Sequence, residues 1–85
     1  MKIQLRFFAS IREALGTSLE MLELPHGVDT VGALRSHLRE RGEAWAVALA
    51  PGRALRMACN QMMANDATPL SEDCEVAFFP PVTGG

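Results

Sequence analysis

Strong charge of either sign is missing: eight Lys and Arg against ten Asp and Glu leave a formal net charge of -2. A general nucleic-acid binder displaces counterions from phosphates with a basic stripe, so that class is set aside and protein partners are expected. Long apolar runs are missing too, and no stretch approaches the roughly 20 residues that cross a bilayer. The opening MKIQLRFFASIREALG interrupts its apolar residues with Lys2, Gln4 and Arg6, unlike the continuous apolar segment of a secretory signal. A cytoplasmic protein with no membrane partner is expected.

Cysteine is scarce: Cys59 and Cys74 are the only two. One bridge in a chain with an ordinary core and no secretion signal is a weak proposal, so both are read as reduced thiols packed as small hydrophobes. Neither CxxC nor HxxxH spacing occurs, and His26 and His37 stand apart in a turn and a helix, so no metal is expected. Phosphate loops, dinucleotide fingerprints and nucleophile elbows are absent. The acidic run Glu72, Asp73 and Glu75 reads as a solvated loop, and Arg35, Arg39 and Arg41 as a water-facing helix surface on which Arg39 pairs with Glu43 if the helix continues. No side chain is nominated as catalytic.

What is present is the pattern of one small domain. With 48% apolar and 21% charged residues among 85, the composition is globular, and a chain this short buries only about 60% of its unfolded surface around one core. KIQLRF (2–7) alternates, placing Ile3, Leu5 and Phe7 on one strand face. SLEMLELP (18–25) reads as a second strand that forms an opening hairpin with the first, Gly16 and Thr17 marking the turn. Thr30 caps a helix in which Val31, Leu34 and Leu38 recur at helical spacing and which Gly42 ends. Gly32, in its first turn, permits close packing on a sheet. EAWAVALA (43–50) is a short second helix stopped by Pro51 and Gly52. Strands follow at 53–59, around Met62 and Met63, and at CEVAFFP. The expected fold is α+β: a mixed four- or five-stranded sheet on one main helix, in the element order of the ubiquitin-like β-grasp. The domain spans 1–79, and 80–85 is a flexible tail.

That tail, PPVTGG, is the most informative segment. Pro80 and Pro81 favour an extended course, and Val82, Thr83, Gly84 and Gly85 add little bulk. Six extended residues reach about 20 Å, enough to carry a terminal carboxylate into a narrow tunnel of another protein. Glycines there allow close backbone approach. Beside the tail root, Phe79 alternates with Phe78 and Phe8 with Phe7, so Phe8 and Phe79, with Met62 or Met63, are expected to form an apolar docking patch on the open sheet face.

Together, KIQLRFFASIREALG, TVGALRSHL, EAWAVALA, ACNQ and above all EVAFFPPVTGG resemble the small subunit of molybdopterin synthase, a family of ubiquitin-like sulfur carriers, along the whole chain. The resemblance implies a mechanism. An E1-like adenylating enzyme consumes ATP to activate Gly85, and sulfur from a sulfurtransferase or other persulfide donor replaces the adenylate as a C-terminal thiocarboxylate. The tail then enters the large synthase subunit and supplies sulfur to cyclic pyranopterin monophosphate, two carriers making the dithiolene within a heterotetramer of two small and two large subunits. The carrier itself holds no tightly bound cofactor, and catalytic side chains belong to the large subunit. Gly85 is implied as the thiocarboxylated residue, Gly84 and Thr83 as tail residues of the partner's channel, and Phe8 and Phe79 as docking residues, with Met62 and Arg12 as looser matches. Cys74 in LSEDCEV stands where relatives often carry a short acid-glycine turn. A thiamine-thiazole sulfur carrier, a ubiquitin-like protein modifier and a plain β-grasp interaction module share enough of this pattern to remain alternatives at this point.

Overall fold

The computed structural model describes residues 1–81. In chain order the elements are β1 (Lys2–Phe7), α1 (Ala9–Leu15), β2 (Leu19–Glu23), α2 (Val31–Arg39), α3 (Glu43–Ala48), β3 (Arg56–Cys59), β4 (Met62–Ala64) and β5 (Glu75–Phe79). The strands form one five-stranded sheet in the order β2-β1-β5-β3-β4. β1 pairs antiparallel with β2 and parallel with β5, and β3 runs antiparallel to both β5 and β4. This mixed sheet, crossed by α2, is the ubiquitin-like β-grasp.

Alternation in the strands decides which face is buried. Ile3, Leu5 and Phe7 of β1 and Val76 and Phe78 of β5 are almost wholly enclosed, and the register sets Leu5 beside Val76 and Phe7 beside Phe78. Against this face α2 lays Val31, Leu34 and Leu38, each 0% exposed. Burying a side chain of this size contributes about 1.5–3 kcal/mol. The β3–β4 connection is a two-residue turn, Asn60 and Gln61, both left-handed (φ 50° and 67°), which is the mirror-image turn that matches strand twist. The Asn60 side-chain oxygen also accepts from the Glu75 N–H at 3.0 Å, tying the turn to β5.

The β1–β2 connection differs from the expected simple hairpin. The two strands do pair, but ASIREAL between them is helix α1, which buries Ile11 and ends on Gly16 in the left-handed conformation (φ 74°). The glycine read as a turn marker is therefore a helix C-cap, a role that needs no Cβ. Seven residues carry two helical turns, too few for periodicity to stand out. The predicted strand at 53–59 is also shorter, since residues 53–55 precede β3, while Leu55 still packs on the core.

Thr30 caps α2 as expected, its side chain accepting from the Ala33 N–H at 3.1 Å. The helix ends at Arg39 with Glu40 as its C-cap, and Gly42 is instead the N-cap of α3. The break separates Arg39 from Glu43; Arg41 is exposed as expected, but Arg35 and Arg39 are half-buried rather than a solvated face. Arg35 Nε donates to the Leu49 carbonyl at 2.7 Å and its terminal nitrogen to the Ala50 carbonyl; Arg39 Nε donates to the Ala46 carbonyl at 3.2 Å. Carbonyls at a helix C-terminus lack intrahelical partners, so α2 caps α3 with its own side chains. Arg41 grips both carboxylate oxygens of Glu20 on β2, at 2.8 and 2.6 Å, and lies 4.6 Å over the Trp45 ring. Trp45 meets Phe7 edge-on at 5.6 Å, and Phe7 stacks on Phe78 at 5.8 Å.

Gly32 approaches a loop rather than the sheet. Its N–H donates to the Asp66 carbonyl at 3.0 Å, and an added Cβ would stand 2.9 Å from both Asp66 Cβ and the Asp66 carbonyl oxygen. Gly32→Ala is expected to destabilise by about 1–3 kcal/mol, as overpacking against backbone does, although alanine is the better helix former. Chemical denaturation of the two proteins checks this. A second expectation concerns acid. The Arg41 hydrogen bond holds the Glu20 carboxyl below its usual range, so the pair's contribution is present above the unfolded glutamate value of about 4.3 and is lost as pH falls through the lower folded value. Glu20→Gln is expected to cost under about 1 kcal/mol at pH 7, and the gap to the unaltered protein should close on acidification in a pH series of unfolding curves.

Candidate docking surface and tail root

The sheet face turned away from α2 carries the alternate residues of each strand. Along one row the register aligns Leu19, Arg6, Ala77, Ala58 and Met63 across all five strands. One step nearer the tail, Phe8 follows Phe7 in extended conformation (φ -126°, ψ 155°) and lies beside Phe79, which is itself in register with Arg56. The Phe8 N–H donates to the Phe78 carbonyl at 3.2 Å, extending the β1–β5 ladder past the last strand pair. Phe8 and Phe79 thus both fall on the open face, as alternation predicts.

The centre of this face is flat because its middle positions are Ala58 and Ala77, with larger residues around them. Phe8 is 43% exposed, Leu19 52%, Met21 57% and Met63 66%. Exposed apolar side chains gathered on one face in this way are a feature of interaction surfaces, with Gln4 and Arg6 of β1 standing between Leu19 and Met21 and the rest. Of the two methionines offered by the sequence, Met63 joins the open face opposite Ala58, whereas Met62 pairs with Cys59 and projects from the β4 edge on the side of the helices, 72% exposed. Leu19 and Met21 escaped sequence reasoning because SLEMLELP has apolar residues in both strand phases, leaving its outward face ambiguous.

Charged groups frame the apolar centre. Arg6 lies 5.5 Å from the Phe8 ring centroid and 3.6 Å from the Glu75 carboxylate, holding the ring from one side. The acidic residues before β5 are structural. Glu72 accepts from the Lys2 N–H at 2.9 Å, and Asp73 donates its N–H to the Lys2 carbonyl at 2.7 Å. Asp73 is left-handed (φ 64°), a conformation its short polar side chain tolerates, so the tight turn of LSEDCEV is made there without glycine.

Neither cysteine is poised as a sulfur nucleophile. Both are free thiols, Cys74 buried and Cys59 half-buried on the helix-covered face, and burial together with the Cys74 neighbour pushes the Cys59 thiol up. Thiolate is thereby disfavoured. Among the described residues no group of three or more His, Cys, Asp or Glu is arranged to hold a metal ion, and no helix is long and apolar enough to cross a membrane. Half-buried Pro80 and Pro81 follow β5 directly and form the tail root. Val82, Thr83, Gly84 and Gly85, the rest of the expected channel segment, lie outside the described residues.

Comparison with known proteins agrees with this geometry. A family model described as the ThiS family matches residues 5–85. The molybdopterin synthase sulfur carrier subunit of Escherichia coli (strain K12) is 45% identical over 83 residues, covering 98% of this chain and 99% of that relative. Among solved structures, the chain is similar to one in the protein–protein complex of subunits 1 and 2 of molybdopterin-converting factor from Helicobacter pylori 26695, with TM-score 0.69 and 26% identity over 100% of both chains. SAMP1 from Haloferax volcanii, with TM-score 0.76 but 22% identity over 100% of both, shares the fold. With near-complete coverage by a carrier subunit at this identity, the chain belongs to the ThiS family and is of the molybdopterin synthase sulfur carrier type.

Proposed function

We propose that this chain is the sulfur-carrying subunit of a molybdopterin synthase in molybdenum cofactor biosynthesis, acting in the cytoplasm as a co-substrate rather than a catalyst. The observation that carries the reading is the 45% identity to a named sulfur carrier subunit across nearly the full length of both chains. The open face supports it, because the apolar surface a partner would cover lies directly at the root of the tail that partner would receive.

The chemistry follows from the weakness of a carboxylate as an electrophile. An E1-like enzyme joins the Gly85 carboxylate to the α-phosphate of ATP and releases pyrophosphate. The terminal sulfur of a persulfide donor then attacks the acyl carbon and AMP departs, leaving an acyl disulfide. A second thiol attacks the donor's sulfur, so the S–S bond breaks, the donor is left as a disulfide and the thiocarboxylate is released. The resulting thiocarboxylate is carried into the large subunit, whose side chains direct its sulfur onto cyclic pyranopterin monophosphate. Two carriers, one from each half of a two-plus-two heterotetramer, supply the two dithiolene sulfurs. This chain contributes binding and reach: Phe8, Phe79 and the neighbouring apolar surface dock the body, with Met62 available at the sheet edge, and Pro80 to Gly84 lead Gly85 into the channel. Entropy favours the arrangement, because docking a rigid body places the reacting group at high effective concentration before chemistry begins.

The direct test is the intact mass of the protein after incubation with ATP, a sulfur donor and its host's adenylating enzyme. The expected result is a gain matching replacement of one oxygen by sulfur, absent when Gly85 is deleted. Conversion of a known carrier under the same conditions without any gain here would overturn the proposal, and isopeptide-linked products on target lysines would favour a protein modifier.

A further inference from the structure

We infer that Arg53 and Arg56 form a cationic collar at the tail root that recognises carboxylates on the rim of the channel in the large synthase subunit. The inference rests on the sulfur-carrier reading and adds to it an electrostatic determinant of partner choice. Its starting observation is a groove of about 320 Å³ lined by Arg53, Ala54, Leu55, Arg56 and Pro81. That volume is at the floor of the range of small-molecule pockets, about 300–1,000 Å³, and suits one or two inserted side chains of a protein. Pro81 in its wall makes the groove continuous with the tail that the partner must receive.

The two guanidinium groups differ from four of the other arginines. Arg6 pairs with Glu75, Arg41 with Glu20, and Arg35 and Arg39 donate to α3 carbonyls. Among the described residues, Arg12, Arg53 and Arg56 enter no ion pair and no side-chain hydrogen bond, and of the three only Arg53 and Arg56 line the groove. Arg56 is exposed on the open face in register with Phe79. A chain of net charge -2 therefore places two cations, uncommitted among the described residues, where its tail emerges. Folding alone does not call for them, and a planar donor fork matches a carboxylate.

Length decides against the other anion in the cycle, the phosphates of the activating nucleotide. The four residues from Val82 to Gly85 span up to about 13–14 Å when extended, so in a tail-receiving channel the acyl group lies well beyond the collar. Groups level with the collar belong to the channel mouth. Charge there acts chiefly on the rate of encounter and on rejection of wrong partners.

The test is the affinity of the full-length carrier for the large synthase subunit of its own source, measured across a salt series. Arg56→Glu and Lys2→Glu change the net charge equally, but Lys2 lies at the far end of β1 from the tail. At low salt R56E is expected to weaken binding about tenfold, mainly through slower association, with a flatter salt dependence. R53K/R56K retains most of the affinity and K2E changes it little; circular dichroism confirms that each variant is folded. Equal losses for R56E and K2E, or no loss for R56E, would overturn the collar while leaving the carrier reading intact. Failure of the unaltered protein to bind the large subunit would overturn both.

Discussion

The parallel pairing of β1 with β5 is the constraint on which the rest of the structure depends. Each strand has a neighbour on its other side, so the pair occupies the middle of the sheet. Its register brings Phe7 onto Phe78 in the core and, one residue later, Phe8 beside Phe79 on the open face. The last strand is thus locked between the first and β3, and the chain leaves from the centre of the sheet rather than from an edge. A tail rooted in an edge strand would share the fraying to which edges and termini are prone. Rooted here, its starting point is as fixed as the core.

On the helix side, a second network relieves the open face of any structural duty. Glu20, Arg41, Trp45, Phe7 and Phe78 are linked in sequence from the outer strand β2 through α3 to β5, while Arg35 and Arg39 bind α3 to α2. Arginine suits both tasks because its planar fork satisfies two acceptors and its face stacks on an aromatic ring. With stability concentrated on that side, Phe8, Leu19, Met21 and Met63 remain partly or largely exposed. Those exposed side chains gain little from folding, and covering them with a partner is what recovers their apolar surface from water.

Much of this was legible in the residues. Strict alternation in KIQLRF and CEVAFFP gave the right inward faces, and Thr30 with Val31, Leu34 and Leu38 marked α2 and its cap. The two phenylalanine pairs disclosed the open-face aromatics because consecutive large apolar residues cannot both face one side of a strand. The failures share one cause, dependence on contacts distant in sequence. Helix α1 is stabilised by burying Ile11 rather than by a strong local pattern, Arg35 finds its carbonyl partners 14 and 15 residues away, and the neighbour of Gly32 is Asp66. Met62 and Met63 were indistinguishable until the tight turn at Asn60 and Gln61 set the register, since a shift of one residue exchanges the two faces of a strand.

On the proposed reading the carrier visits more than one protein, which places opposing requirements on its surface. Binding must orient the tail, yet very tight association would slow release, and affinity differences among related complexes lie mostly in dissociation. A flat centre of Ala58 and Ala77 edged by aromatic and methionine side chains suits this compromise. Methionine is flexible and polarisable and adapts to differently shaped partners, whereas Phe8, held by Arg6 and the Phe78 carbonyl, is fixed in place. The rigid aromatic end lies at the tail root, where the proposed function needs position most, and the adaptable methionine end lies farther away. Precision and tolerance are thereby assigned to opposite ends of one sheet face, an arrangement that follows from the register of five short strands.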